Sequence, residues 1–115
     1  TIGHAIESFS KGNLFHGEAI AIGMLCESYI SYHKNGLSIE ELDKICLLIF
    51  TYFEKIEIDK ENISAIMEIM KTDKKNENGK LNFTLLSRIG ESNFDKFIEE
   101  KLVIESIEFY INLSV

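Results

Sequence analysis

Gly3-His4-Ala5-Ile6-Glu7, a polar turn, and then Leu14-Phe15-His16-Gly17-Glu18-Ala19-Ile20-Ala21-Ile22-Gly23-Met24 decide how this chain is read. Before the turn, Ile2, Ala5, Ile6 and Phe9 recur at i, i+3, i+4 and i+7, the spacing of one helical face, and predict a short helix over residues 2–9. Ser10-Lys11-Gly12-Asn13 is turn chemistry, with Gly12 as the left-handed residue that stops that helix. From His16 to about Lys34 the pattern predicts the longest helix. Ala19, Ile22, Gly23, Cys26 and Ile30 line one face, and Ile20, Met24 and Leu25 broaden it. A helix that is apolar over most of its circumference belongs in a core. Gly23 costs roughly 1 kcal/mol there relative to Ala, so another backbone is expected to pass close by.

Working outward, Asn35-Gly36 ends this helix, and Ser38 followed by Glu41 is a capping box that starts the next. That helix is expected to reach about residue 54, with Leu42, Ile45, Cys46, Ile49 and Phe53 inward. Asp59 is read as the cap of a helix over about 60–71, with Ile63, Ile66, Met67 and Met70 in one stripe. A polar loop, Thr72 to Gly79, carries Lys74 and Lys75. Leu81 to Leu86 alternates as a strand, Ile89-Gly90 closes it, and residues 94–98 pair with it. A last helix runs from about Glu99 to Asn112. The expected fold class is mainly α: a multi-helical domain with at most one small β-hairpin, residues 1–115 forming a single domain.

Composition narrows the function classes. Of 115 residues, 45% are hydrophobic and none is proline, which suits uninterrupted helices and a real core. The net charge of −7 argues against nucleic acid as partner. No apolar run approaches the ~20 residues of a membrane span, and no signal peptide is visible. Cys26 and Cys46 lie inside apolar helical patterns and read as buried thiols of a cytoplasmic protein. The chain opens Thr1-Ile2-Gly3-His4, with neither an initiator Met nor a cap before the helical pattern, and is read as part of something longer.

The chemistry-bearing residues are few. His16 stands at a helix start before Gly17, where a neutral imidazole can ligate a metal through one nitrogen while the other donates to a carboxylate. His4 ends up nearby because a tight turn joins the two helices. Taken alone, each reads first as a helix cap or a packed core histidine; together, on neighbouring helix ends, their side chains can converge on a metal or substrate. Two histidines are one ligand short of a catalytic zinc site, and the spacing is not that of HExxH. Glu7 and Glu18 are either orienting carboxylates or exposed helix residues, and Glu18 also suits the macrodipole of a first turn. Lys74 and Lys75 are either a solvated turn or an anchor for phosphate or carboxylate.

GHAIE at 3–7, LFHGEAIAIGM at 14–24, Asp73-Lys74-Lys75-Asn76, Gly79, Phe83-Thr84-Leu85-Leu86 and Ile89-Gly90 together resemble the C-terminal domain of 3-dehydroquinate synthase. The resemblance runs over nearly the whole chain. It implies an enzyme of the shikimate pathway, a lyase that converts 3-deoxy-D-arabino-heptulosonate 7-phosphate into 3-dehydroquinate and phosphate. It further implies an NAD-binding N-terminal domain absent from this chain, a divalent metal such as Zn2+ or Co2+, a site in the cleft between the two domains, and a homodimer. In that family NAD transiently oxidises a ring hydroxyl, phosphate is eliminated, the ketone is reduced back, and an aldol step closes the ring.

By resemblance, His16 matches a metal ligand. His4 matches the second histidine of a GHxxGH motif, and is the expected catalytic and substrate-binding residue. The first histidine of that motif, itself a ligand, would fall immediately before Thr1, and a third ligand, a glutamate, belongs to the N-terminal domain. One of Lys74 and Lys75 matches a substrate-contacting lysine. The expectation is that this chain by itself binds neither NAD nor metal tightly and is inactive. Two alternatives stand beside this reading: a sister sugar-phosphate cyclase, and a non-enzymatic helical interaction module.

Overall fold

The computed structural model describes residues 2–72 and 76–114. Five α-helices and one antiparallel hairpin are arranged around a central helix, so the mainly helical expectation holds. The elements are α1 (Ile2–Ser10), α2 (His16–Lys34), α3 (Ile39–Tyr52), a 3-10 turn (Lys60–Asn62), α4 (Ile63–Lys71), β1 (Lys80–Arg88), β2 (Glu91–Glu99) and α5 (Glu100–Asn112).

The hub is α2, which packs against α1, α3, α5 and β1. That arrangement explains its nearly unbroken apolar sequence: Ala19, Ile22, Leu25, Cys26 and Ile30 are all buried. Only Met24 among the large apolar residues of α2 is more than half exposed, at 52%. The close approach expected at Gly23 is to α1. A Cβ built there would stand 2.6 Å from the Gly3 nitrogen.

Between α1 and α2 the chain reverses through two left-handed residues rather than one: Lys11 has φ 52° and Gly12 φ 86°. Glycine adopts that conformation without strain, whereas Lys11 does so at some conformational cost. On α1, Ile2, Ala5 and Ile6 are buried and Phe9 is half-buried, which leaves His4 and Glu7 on the outer face.

Helix α3 starts as expected. The Ser38 Oγ accepts the Glu41 N–H at 3.1 Å, and the Glu41 carboxylate reaches on to accept the Ile89 N–H at 2.7 Å. Its end and its inner face differ from the sequence reading. It stops at Tyr52, and Phe53, expected inward, is 37% exposed in extended backbone. The reason is that α3 packs chiefly against α2, so only Leu42 and Ile49 are buried, while Ile45 and Cys46 are half-buried. Cys46 is therefore not the buried thiol expected, whereas Cys26 is, and burial pushes its thiol well above the ordinary range.

Asp59 makes no side-chain cap. Its carbonyl instead accepts the Asn62 N–H at 2.9 Å, which closes the 3-10 turn, and α4 begins only at Ile63. The expected stripe Ile63, Ile66, Met67 and Met70 is buried.

The hairpin is longer than the sequence suggested. Leu81 faces Ile98, Phe83 faces Lys96 and Leu85 faces Asn93, with a bulge between Phe83 and Leu85 and Asp95 at φ 52°. Leu81, Phe83 and Leu85 alternate into the core, while β2 is exposed except at Ile98. Two polar side chains, Ser31 of α2 and Asn35 just beyond its end, fix the hairpin. The Ser31 Oγ accepts the Leu86 N–H at 2.9 Å, and the Asn35 Nδ2 donates to the Leu85 carbonyl at 3.2 Å. Helix α5 closes the core with Leu102, Val103, Ile107 and Tyr110.

Candidate functional site

The site lies where α1 ends and α2 begins. His4 and Glu7 are three residues apart on α1 and so share a face. The turn then returns His16, the first residue of α2, against that face. The Nδ1 of His16 stands 3.0 Å from both Glu7 oxygens, and the Nδ1 of His4 is 3.9 Å from the Glu7 Oε1. The two imidazole rings are 6.3 Å apart between centroids. Glu7 therefore sits between two histidines brought together by the crossing of α1 and α2.

All three side chains remain open to solvent. The His4 and His16 side chains are 74% and 64% exposed, and that of Glu7 is 32% exposed. Phe15, immediately before His16, is 80% exposed, an unusual position for an aromatic side chain at the rim of a polar cluster. Gly17 is open as well. A Cβ there would touch only the Phe53 Cε1, at 3.9 Å, so nothing packed within this chain demands a glycine at that position.

The two carboxylates singled out in the sequence separate here. Glu7 belongs to the histidine cluster. Glu18 turns back to accept the Phe15 N–H at 2.9 Å and so caps α2. Among the described residues, no group of three or more His, Cys, Asp or Glu side chains is gathered to hold a metal ion. His16 alone presents the features of one ligand: an imidazole on a helix end with one nitrogen tied to a carboxylate.

Lys74 and Lys75 lie outside the described residues. Beside that stretch, Lys71, Asn76, Gly79, Lys80 and Glu100 line an open cavity of about 300 Å³. Asn76 fixes one side of it, because its Nδ2 donates to the Met70 carbonyl at 2.9 Å and its Oδ1 accepts the Asn82 N–H at 3.0 Å. Lys71 is committed to Glu100 and Glu68, at 3.0 and 3.3 Å. Periodicity gave no signal for Asn76, since its role depends on two segments that meet only in the fold.

Glu27 was also silent in the sequence. It follows Gly23 by one helical turn and lies against the start of α1. Burial raises its carboxyl above the ordinary value, opposed by a hydrogen bond from the Ile2 N–H and by the nearby His4. A lone Glu in an apolar helix reads as a surface residue until a second helix is laid against it.

The family model for 3-dehydroquinate synthase C-terminal matches residues 1–76. The chain is 35% identical over 113 residues to the 3-dehydroquinate synthase of Parabacteroides distasonis, covering 96% of this chain and 32% of that protein. It is 38% identical over 109 residues to the synthase of Dictyoglomus turgidum, covering 94% of this chain and 30% of that protein. The chain thus spans about a third of the length of the curated relatives it matches. Among solved structures, a 2-deoxy-scyllo-inosose synthase complexed with carbaglucose-6-phosphate, NAD+ and Co2+ superposes with a TM-score of 0.76 at 25% identity, over 92% of this chain and 32% of that one. No helix among the described residues is long and apolar enough to cross a membrane. By the extent of the family match and the relatives' identity over nearly its whole length, this chain belongs to the 3-dehydroquinate synthase C-terminal family.

Proposed function

We propose that this chain is the metal- and substrate-binding domain of a 3-dehydroquinate synthase, whose NAD-binding domain is a separate stretch of polypeptide. Two observations carry the reading: the chain has a solvent-open pair of histidines bridged by Glu7, and it matches a C-terminal family model while spanning about a third of the synthases' length. A site built to work alone would enclose its polar groups, whereas this one presents them on a wall flanked by exposed Phe15. The rest of the cleft then comes from the nucleotide-binding domain.

In this reading His16 contributes one ligand to a divalent metal, Zn2+ or Co2+, through the nitrogen that Glu7 leaves free. When bound, the metal polarises substrate oxygens as a Lewis acid. His4 binds the sugar phosphate and moves a proton at its ring nitrogen. Lys74 or Lys75 supplies a cation for the anionic end of the substrate. The substrate is 3-deoxy-D-arabino-heptulosonate 7-phosphate and the products are 3-dehydroquinate and phosphate. With one metal ligand in this stretch, the isolated chain binds zinc weakly and does not turn over. The full-length enzyme is a cytoplasmic homodimer.

A second reading has its own support, because two solved 2-deoxy-scyllo-inosose synthases share the fold with TM-scores of 0.76 and 0.73. Under that reading the same wall serves a sister cyclase acting on a different sugar phosphate.

Phosphate release decides. The isolated chain, given NAD, zinc and the heptulosonate phosphate, is expected to release none above background, whereas a polypeptide of the relatives' full length containing it releases phosphate and forms dehydroquinate. Release by the isolated chain overturns the divided site. Inactivity of the longer protein on this substrate, with turnover of a hexose 6-phosphate, overturns the synthase reading in favour of the sister cyclase.

A further inference from the structure

We propose that Glu7 is a positioning residue that fixes the tautomer and aim of His16, holding the Nδ1–H and leaving the Nε2 lone pair facing outward for a metal or substrate group. The inference rests on the proposed role of His16 for its purpose, while the tautomer itself is measurable without any ligand.

An ionised carboxylate only accepts hydrogen bonds. The contact of the His16 Nδ1 with both Glu7 oxygens at 3.0 Å is therefore an Nδ1–H donating to a shared acceptor. A neutral imidazole carries a single N–H, so the lone pair falls on Nε2. Free imidazole side chains favour the opposite tautomer, and the carboxylate selects the less common one. The geometry depends on three local features. The i, i+3 spacing puts His4 beside Glu7. The left-handed pair Lys11 and Gly12 turns the chain back on itself. The Gly3–Gly23 contact lets α1 and α2 approach closely enough for a short carboxylate to reach the next helix. Glu7 is half-buried between the rings, so its conformation is restricted, whereas His4 and His16 are exposed. Glu18 cannot substitute, because it is spent on the Phe15 N–H.

A merely structural tie between helices would leave the imidazole chemistry indifferent to Glu7, and this separates the two roles. The 15N-labelled chain, free of metal, is examined by long-range proton–nitrogen correlation at a pH where its spectra show neutral imidazoles. His16 is expected in the Nδ1–H form, with the exposed His33 in the ordinary Nε2–H form as internal reference. Glu7→Gln, whose amide can donate as well as accept, should weaken the preference for the Nδ1–H form, whereas Glu7→Ala returns His16 to the form of His33. An Nε2–H His16 in the unmodified chain overturns the proposal, as does a tautomer that Glu7→Ala leaves unchanged. If Glu7→Ala does not fold, the tautomer of the unmodified chain decides. Added zinc tests the other half. Preferential shift of the His16 Nε2 over that of His33, weakened ~10-fold in Glu7→Ala, supports both readings. A tautomer set by Glu7 with no zinc preference in a polypeptide of the relatives' full length, where the remaining ligands are present, supports the orienting role and overturns the metal reading.

Discussion

Gly23 and Gly3 meet where α2 crosses α1, so closely that a Cβ on Gly23 would stand 2.6 Å from the Gly3 nitrogen and 2.8 Å from its Cα. The obstructing atoms are backbone, which cannot swing aside as a long side chain would. This contact sets how far α1, with His4 and Glu7, stands from His16.

Gly23→Ala therefore separates the two helices. We expect it to destabilise the chain by about 1–3 kcal/mol, the usual range for overpacking, despite the gain of roughly 1 kcal/mol in helix propensity. Gly17→Ala, with only Phe53 at 3.9 Å, should be neutral or stabilising. Denaturant melts of the two variants check this. A Gly23→Ala protein as stable as its parent would mean that α1 can move without loss.

The Glu41 carboxyl is held below the ordinary value chiefly by the Ile89 N–H, helped by Ser38. A carboxyl whose folded-state value is depressed adds stability above its unfolded-state value and loses it as the pH falls through the folded one. Glu41→Gln should lower the melting temperature at neutral pH. The gap should close as acid protonates the parent's carboxyl, and paired thermal melts across the acid range test it. Because Glu41 joins the start of α3 to the hairpin turn, amide exchange at Ile89 should quicken in the variant.

Tyr110 is buried with its hydroxyl between the two polar groups of Ile56, accepting from the N–H and donating to the carbonyl, each at 2.9 Å. Tyr110→Phe leaves both without a partner and should cost about 1–3 kcal/mol. Burial pushes the phenol up to about 12. A raised folded-state value contributes stability that is present below the unfolded value of about 10 and is lost as the pH rises toward 12. The parent should therefore weaken through that alkaline window more than the Phe variant does, measured by denaturant midpoints at each pH.

The unequal roles proposed for the histidines predict different failures in the full-length enzyme. His16→Ala should lose bound metal and turnover together. His4→Ala should keep its metal and lose turnover by about 10²–10⁴-fold, the range of a removed acid–base group. Metal content by emission spectroscopy beside steady-state rates separates them, and equal metal loss in both would merge the two roles.

Much of this was legible in the chain itself. The i, i+3, i+4 spacing located α1 and α4, because a helix buried along one stripe records that direction in its periodicity, and the nearly unbroken apolar run located α2. Ser38 and Glu41 marked the start of α3 because a capping box is local chemistry. Local pattern failed where the outcome depended on a distant surface. Phe53 looked inward, but α3 packs chiefly against α2 and ends one residue earlier, at Tyr52. Asp59 looked like a cap, but the backbone closes a 3-10 turn there instead.

The same division runs through the candidate site. By itself the sequence determined that two histidines and two carboxylates lie at adjoining helix ends, since a short turn allows little else. It could not tell Glu7 from Glu18: both are acidic, and each lies within a few residues of a histidine. Only the tertiary structure decided that Glu18 caps its own helix while Glu7 crosses to the next. The reason is that a cap is fixed within one turn of chain, whereas a bond from α1 to α2 exists only once Gly23 has let the two backbones touch.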